Sequence, residues 1–173
     1  MMCRTTGRSG TVFICRRRVV LTMSIKMRQF VVAVLKKHGM TLEDLKKEKK
    51  VTFSTPGFMD LHVNYLGKEC NVDKYSTGHY FKQSGDVMAD PEMTFFDTVK
   101  VTDQGNVRDA FVPSSFRMDT SLFPAYQYQR LKTCMDGNIV VVNKAQFRDA
   151  RSFANQWASN LRKQGFSDAT ATC

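Results

Sequence analysis

The chain has 173 residues, of which 42% are hydrophobic, 11% aromatic and 24% charged. That is the make-up of a soluble, core-forming protein of one domain, and it excludes a disordered tail or a low-complexity chain. No apolar run comes near the roughly 20 residues of a membrane-spanning helix, so no membrane partner is expected.

Residues 1–22 carry five Arg and no acid, without helical or strand periodicity. Arg16, Arg17 and Arg18 are followed by only Val19, Val20 and Leu21 before Thr22, too little for the apolar stretch of a secretory signal. We expect 1–22 to be a leader outside the fold, non-native or disordered, with translation starting at Met23. The expected domain is then 23–166, and 167–173 a flexible tail.

From Ile25 to His38 the apolar residues Met27, Phe30, Val31, Val34 and Leu35 recur at helical spacing. Lys36, Lys37 and His38 complement the last turn, and Gly39 can close it. Thr41 reads as the N-cap of a second helix over 41–48, with Glu43 and Asp44 in its first turn. Its lysines resemble a nucleic-acid patch, but Glu43, Asp44 and Glu48 nearly balance them, which describes a solvated face.

After Lys50 the period becomes two. Met59, Leu61, Val63 and Tyr65 alternate with Asp60, His62 and Asn64; Met93, Phe95, Val99 and Val101 share a second phase, and Val107 and Phe111 a third. Asp103–Asn106 makes a good hairpin turn. Short turns without intervening helices imply an antiparallel meander of about five strands. A β-branched run follows at Ile139–Val142. The last element is a helix with Ala150, Phe153, Ala154, Trp157, Ala158 and Leu161 on one stripe, capped near Asn143 and ended by Gly165. The expected fold class is α+β: two N-terminal helices, the meander, and a C-terminal helix packed on the sheet.

The charge is polarised along the chain. Against an overall +10, residues 51–120 carry ten acidic and six basic groups. An acidic middle between basic ends suits a protein partner, because a carboxylate-rich sheet face can compete for sites that take phosphate. Nucleic acid is the other possible partner. Its candidate surface is Arg148, Arg151, Arg162 and Lys163 on the last helix, extended by Arg130, Lys132, Tyr126 and Tyr128.

The densest stretch is Tyr75–Phe96, YSTGHYFKQSGDVMADPEMTFF. Gly85-Asp86 and Asp90-Pro91 are turn chemistry, and on that reading their carboxylates bind loop amides. The functional alternative gathers Asp86, Asp90 and Glu92, with His79 and Asp119, around Mg²⁺ or Mn²⁺ as a catalytic or metal site. That spacing matches no established nuclease or calcium-loop template, so no cofactor is expected and a non-enzymatic role is favoured. Loops for nucleotide phosphates, nucleophile elbows and zinc helices are absent from the sequence. The five Cys are odd in number and form no CxxC pair, which fits reduced thiols in a cytoplasmic protein. His62 lies out of phase with the apolar side of its strand and belongs on the second face.

His79-Tyr80-Phe81 followed by Gly85-Asp86-Val87-Met88-Ala89-Asp90-Pro91-Glu92-Met93 resembles an uncharacterised bacterial and phage domain family. Its members carry an aromatic-flanked His and then GD-(L/V)-M-x-DP-(D/E)-M-x-F. The likeness extends loosely from Phe58 to Asp119, with Val112 where most members have an aromatic residue. Such domains occur in mobile genetic elements, sometimes beside antirestriction-like proteins. The resemblance therefore implies a small accessory protein that binds a macromolecule, with antirestriction or anti-defence activity as the specific expectation. A metal-dependent enzyme acting on nucleic acid, or a direct DNA-binding protein, are the alternatives.

Overall fold

The computed structural model describes residues 25–101, 107–120, 128–135 and 138–172. The expected leader and the Asp103–Asn106 turn lie outside these residues. Helices α1 (Ile25–Lys37) and α2 (Leu42–Glu48) come first. Strands β1 (Lys50–Ser54), β2 (Leu61–Glu69), β3 (Val72–Gln83), β4 (Asp86–Val101) and β5 (Val107–Arg117) follow. Then come the short strands β6 (Tyr128–Arg130), β7 (Lys132–Met135) and β8 (Asn138–Val141), the long helix α3 (Lys144–Lys163), a 3₁₀ turn at Phe166–Asp168, and β9 (Thr170–Thr172).

The fold is α+β, and its antiparallel sheet is larger than the sequence suggested. Seven strands run in the order β6-β5-β4-β3-β2-β1-β9, with β7 and β8 forming a separate hairpin. The chain past Gly165 does not leave the domain as a tail. Phe166 is buried, and Thr170–Thr172 pairs with Thr52–Ser54 as an edge strand. The first and last strands therefore pair at one edge of the sheet.

Local chemistry explains the joints. Thr41 caps α2 through a capping box, its hydroxyl accepting from the Asp44 N–H while the Asp44 carboxylate accepts from the Thr41 N–H. Asn143 caps α3, its side chain accepting from the N–H groups of Ala145 and Gln146. The β2–β3 connection is Cys70-Asn71 and the β3–β4 connection Ser84-Gly85, all four with positive φ. Two such residues between paired strands make the turn whose twist suits a hairpin. Cys70 is disulfide-bonded, a departure from the reduced thiols read from the sequence.

Helices α1 and α3 cover one face of the sheet. The stripe Met27, Phe30, Val31, Val34 and Leu35 of α1 is fully buried, as are Ala154, Ala158 and Leu161 of α3. Against them lie Leu61, Val63, Tyr75, Met93, Phe95 and Phe111, with Tyr75 and Phe95 both stacked on Phe111. One ion cluster enters this layer: Arg28 of α1 reaches Asp97 at 2.7 Å and Asp109 at 3.2 Å, tying the helix to β4 and β5.

Candidate functional site

The opposite face of the sheet is polar, and strand register arranges it in rows. Lys50, Asn64, Ser76, Thr94, Ser115 and Arg130 stand in one row across six strands. Thr52, His62, Gly78, Glu92, Arg117 and Tyr128 form the neighbouring row. Hydrogen bonds cross the strands within them: Asn64 Nδ2 donates to Ser76 Oγ at 3.0 Å, and Thr94 and Ser115 share a bond of 2.7 Å.

At one end of these rows the β3–β4 hairpin helps to form a groove of about 460 Å³, lined by Lys50, His62, Asn64, Tyr80, Phe81, Lys82 and Val87. Tyr80 is the centre of its wall. A Cβ on Gly78 would lie 3.0 Å from Cζ and from Oη of Tyr80, so the ring lies across the strand directly over the glycine and a side chain there would push it aside. Ser76 and Glu92 lie beside the phenol. Burial, then the charge of Glu92, raises its pKa, so it stays a neutral hydroxyl. His62 packs against this ring at 5.3 Å between centroids and shares a 3.0 Å hydrogen bond between Nδ1 and Thr52 Oγ1. Burial first and Lys50 second lower the His62 pKa, which leaves an uncharged imidazole at neutral pH.

The GDVMADPEM segment has a different role. Gly85 sits in the turn, but Asp90-Pro91 is not a second turn: it lies within β4, with a cis peptide bond. Gly78 pairs with Glu92 and Tyr80 with Ala89, so Asp90 and Pro91 together oppose His79 alone. Pro91 has no N–H to give the ladder, and a bulge accommodates it. His79 is in phase with the inward Tyr75 and Thr77 of β3, and it is 7% exposed between Trp157 and Phe166. His79 Nδ1 lies 3.0 Å from the Asp60 carbonyl, and burial lowers its pKa. It is a core histidine.

Asp119, just past β5, fastens this corner. Its carboxylate accepts from the Ala89 N–H at 2.8 Å and its own N–H donates to the Ala89 carbonyl at 2.9 Å. Arg117 Nε donates to the same carboxylate at 2.8 Å, and Thr120 donates to Asp90 at 2.9 Å. The two ends of the motif resemblance therefore meet in space, as a structural clasp. The acids do not converge on an ion. Asp86 is exposed at the hairpin turn, and Glu92 lies six positions further along the strand, on the order of 20 Å away. Among the described residues no group of three His, Cys, Asp or Glu could hold a metal.

Of the basic residues expected to meet nucleic acid, Arg148 is exposed on α3, but Arg162 is committed to α1. Its guanidinium donates to the Lys26 carbonyl and lies over the Phe30 ring. Lys132 is 2% exposed, over the Phe147 ring and without a hydrogen-bond partner, its pKa lowered by burial to about 8. Tyr126 lies outside the described residues. The groove residues Tyr80 and Lys82 were missed because β3 hides from pattern reading: its inward positions include Thr77 and His79, so polarity does not alternate. Lys50, read with the neighbouring lysines 46, 47 and 49 as a solvated face, opens β1 instead.

Residues 29–167 match a family described as a domain of unknown function, DUF6908. The chain belongs to this family. Membership agrees with the likeness to an uncharacterised domain and assigns no activity. No curated protein and no solved structure matches the chain. Among the described residues no helix is long and apolar enough to cross a membrane.

Proposed function

We propose that this protein acts by binding a polyanionic macromolecule on the open face of its sheet and does not act as a catalyst. The carrying observation is the groove at the β3–β4 hairpin, with two lysines and no carboxylate among its lining residues. Of the ten acids of the middle segment, which a phosphate mimic would need free, five are engaged in ion pairs. Asp73 pairs with Lys46, Glu69 with Lys74, Asp97 and Asp109 with Arg28, and Asp119 with Arg117. The groove lysines Lys50 and Lys82 take part in no ion pair among the described residues. In the mobile-element setting that the motif resemblance implies, such binding would serve an antirestriction or anti-defence role. A metal enzyme built on His79, Asp86, Asp90 and Glu92 draws no support from their placement.

The test is a binding panel of single-stranded DNA, duplex DNA and poly-L-glutamate at about 50 mM salt and upward. Binding of at least one polyanion, weakening steeply with salt, is expected. The double variant Lys50→Glu/Lys82→Glu should weaken it strongly, and Arg148→Glu/Arg151→Glu should leave most of it. If none of the three binds at low salt, or if only the helix variant loses binding, the reading fails.

A further inference from the structure

The groove walls are aromatic as well as basic, and that combination selects among polyanions. Tyr80 and His62 present two rings inclined at 53°. The Tyr80 ring lies flat over Gly78 and packs against His62, with Ser76 and Glu92 beside its hydroxyl, so it loses little freedom when a ligand covers it. Phe81 and the exposed Val87 extend the apolar area. Lys50 and Lys82 are both exposed at the groove, and neither takes part in an ion pair among the described residues. The volume, about 460 Å³, falls in the range of roughly 300–1,000 Å³ that takes a compact organic ligand.

We infer that the groove takes single-stranded nucleic acid, one base lying against Tyr80 and His62 and the flanking phosphates reaching Lys50 and Lys82. The inference rests on the polyanion reading above and narrows it. A duplex keeps its base faces inside the stack and can offer only phosphate. An acidic peptide brings charge but no regular supply of flat rings for the aromatic wall. The neutral state of His62 suits this role, since the imidazole then serves as a ring surface beside Lys50.

Fluorescence anisotropy on the full chain decides the matter. The probe is a labelled strand of about 12 nucleotides, a length one such surface can track, compared with its duplex and with displacement by poly-L-glutamate. The strand should bind at least tenfold tighter than the duplex and resist the peptide. Tyr80→Leu should weaken it about tenfold and Tyr80→Phe should not, because stacking uses the ring and not the hydroxyl. If Tyr80→Leu does not fold, Lys50→Glu/Lys82→Glu on exposed side chains takes over. It should reduce the slope of log affinity against log salt by about 1.4, two phosphate contacts on a single strand. Equal affinity for strand and duplex, equal competition by poly-L-glutamate, or unchanged binding by a folded Tyr80→Leu variant would each overturn this inference while the polyanion reading stands. An unaffected salt slope in the lysine variant overturns both. Absence of binding to every polyanion overturns both.

Discussion

The two faces of the sheet are made from the same strands and obey different rules. On the covered face, Tyr75, Phe95 and Phe111 stack beneath α1, and neighbours dictate each side chain by shape. On the open face, Asn64, Ser76, Thr94 and Ser115 satisfy one another across the strands and leave Lys50, Tyr80 and Lys82 toward solvent. Stability belongs to the first face and binding to the second. One strand pair serves both faces: alternation along β3 sends His79 inward and Tyr80 outward, and the bulge in β4 opposite His79 accommodates Pro91.

Substitutions can break or sharpen this contrast. Phe95→Ala, at a fully buried stacked position, should cost about 3–5 kcal/mol in urea unfolding. Asn64→Ala on the other face should stay within about 0.5–1 kcal/mol. Equal costs would dissolve the distinction.

Lys132 is the exception on the buried side and should respond with the opposite sign. The unfolded chain holds this proton up to the ordinary 10.5, the folded chain only to about 8. Folding therefore expels a proton, and the penalty is full below pH 8 and disappears as pH rises through 10.5. Lys132→Met should raise stability at pH 7 on the order of 2 kcal/mol. In paired urea titrations that gain should shrink toward zero near pH 10.5; a gain independent of pH would refute the assignment.

The Asp119 clasp should show an intermediate effect. Asp119→Ala removes the acceptor of the Ala89 N–H and the partner of Arg117, and about 1–2 kcal/mol should be lost. Hydrogen exchange at the Ala89 amide should quicken. A variant as stable as the parent would remove the clasp from the account.

The smallest effect is the pH response of His79. Its folded pKa lies below the ordinary 6.5, so stability present at neutral pH falls as pH drops below 6.5, until the folded group also protonates. His79→Gln should flatten that part of the pH–stability curve, measured by thermal melts between about pH 7 and 5.

Much of the fold was legible in order along the chain. The α1 stripe, the Thr41 cap and the Trp157 face of α3 rest on interactions within a few residues, which periodicity and capping rules report directly. The strand β3 was not legible, because its inward Thr77 and His79 erase alternation, and Asp90-Pro91 read as a turn because proline usually marks one. Among the candidate site residues the acids were visible but their separation was not. A strand sets carboxylates apart by a distance that residue type does not encode.

Composition and local pattern by themselves determined an α+β chain with amphipathic helices, an antiparallel sheet and a surplus of basic charge. Tertiary structure alone decided which charges remain unspent, because ion pairs such as Arg28–Asp97 and Lys46–Asp73 join residues far apart in the chain. It alone placed Lys50, His62, Tyr80 and Lys82 around one groove. Register across three strands, and not nearness in sequence, brings them together.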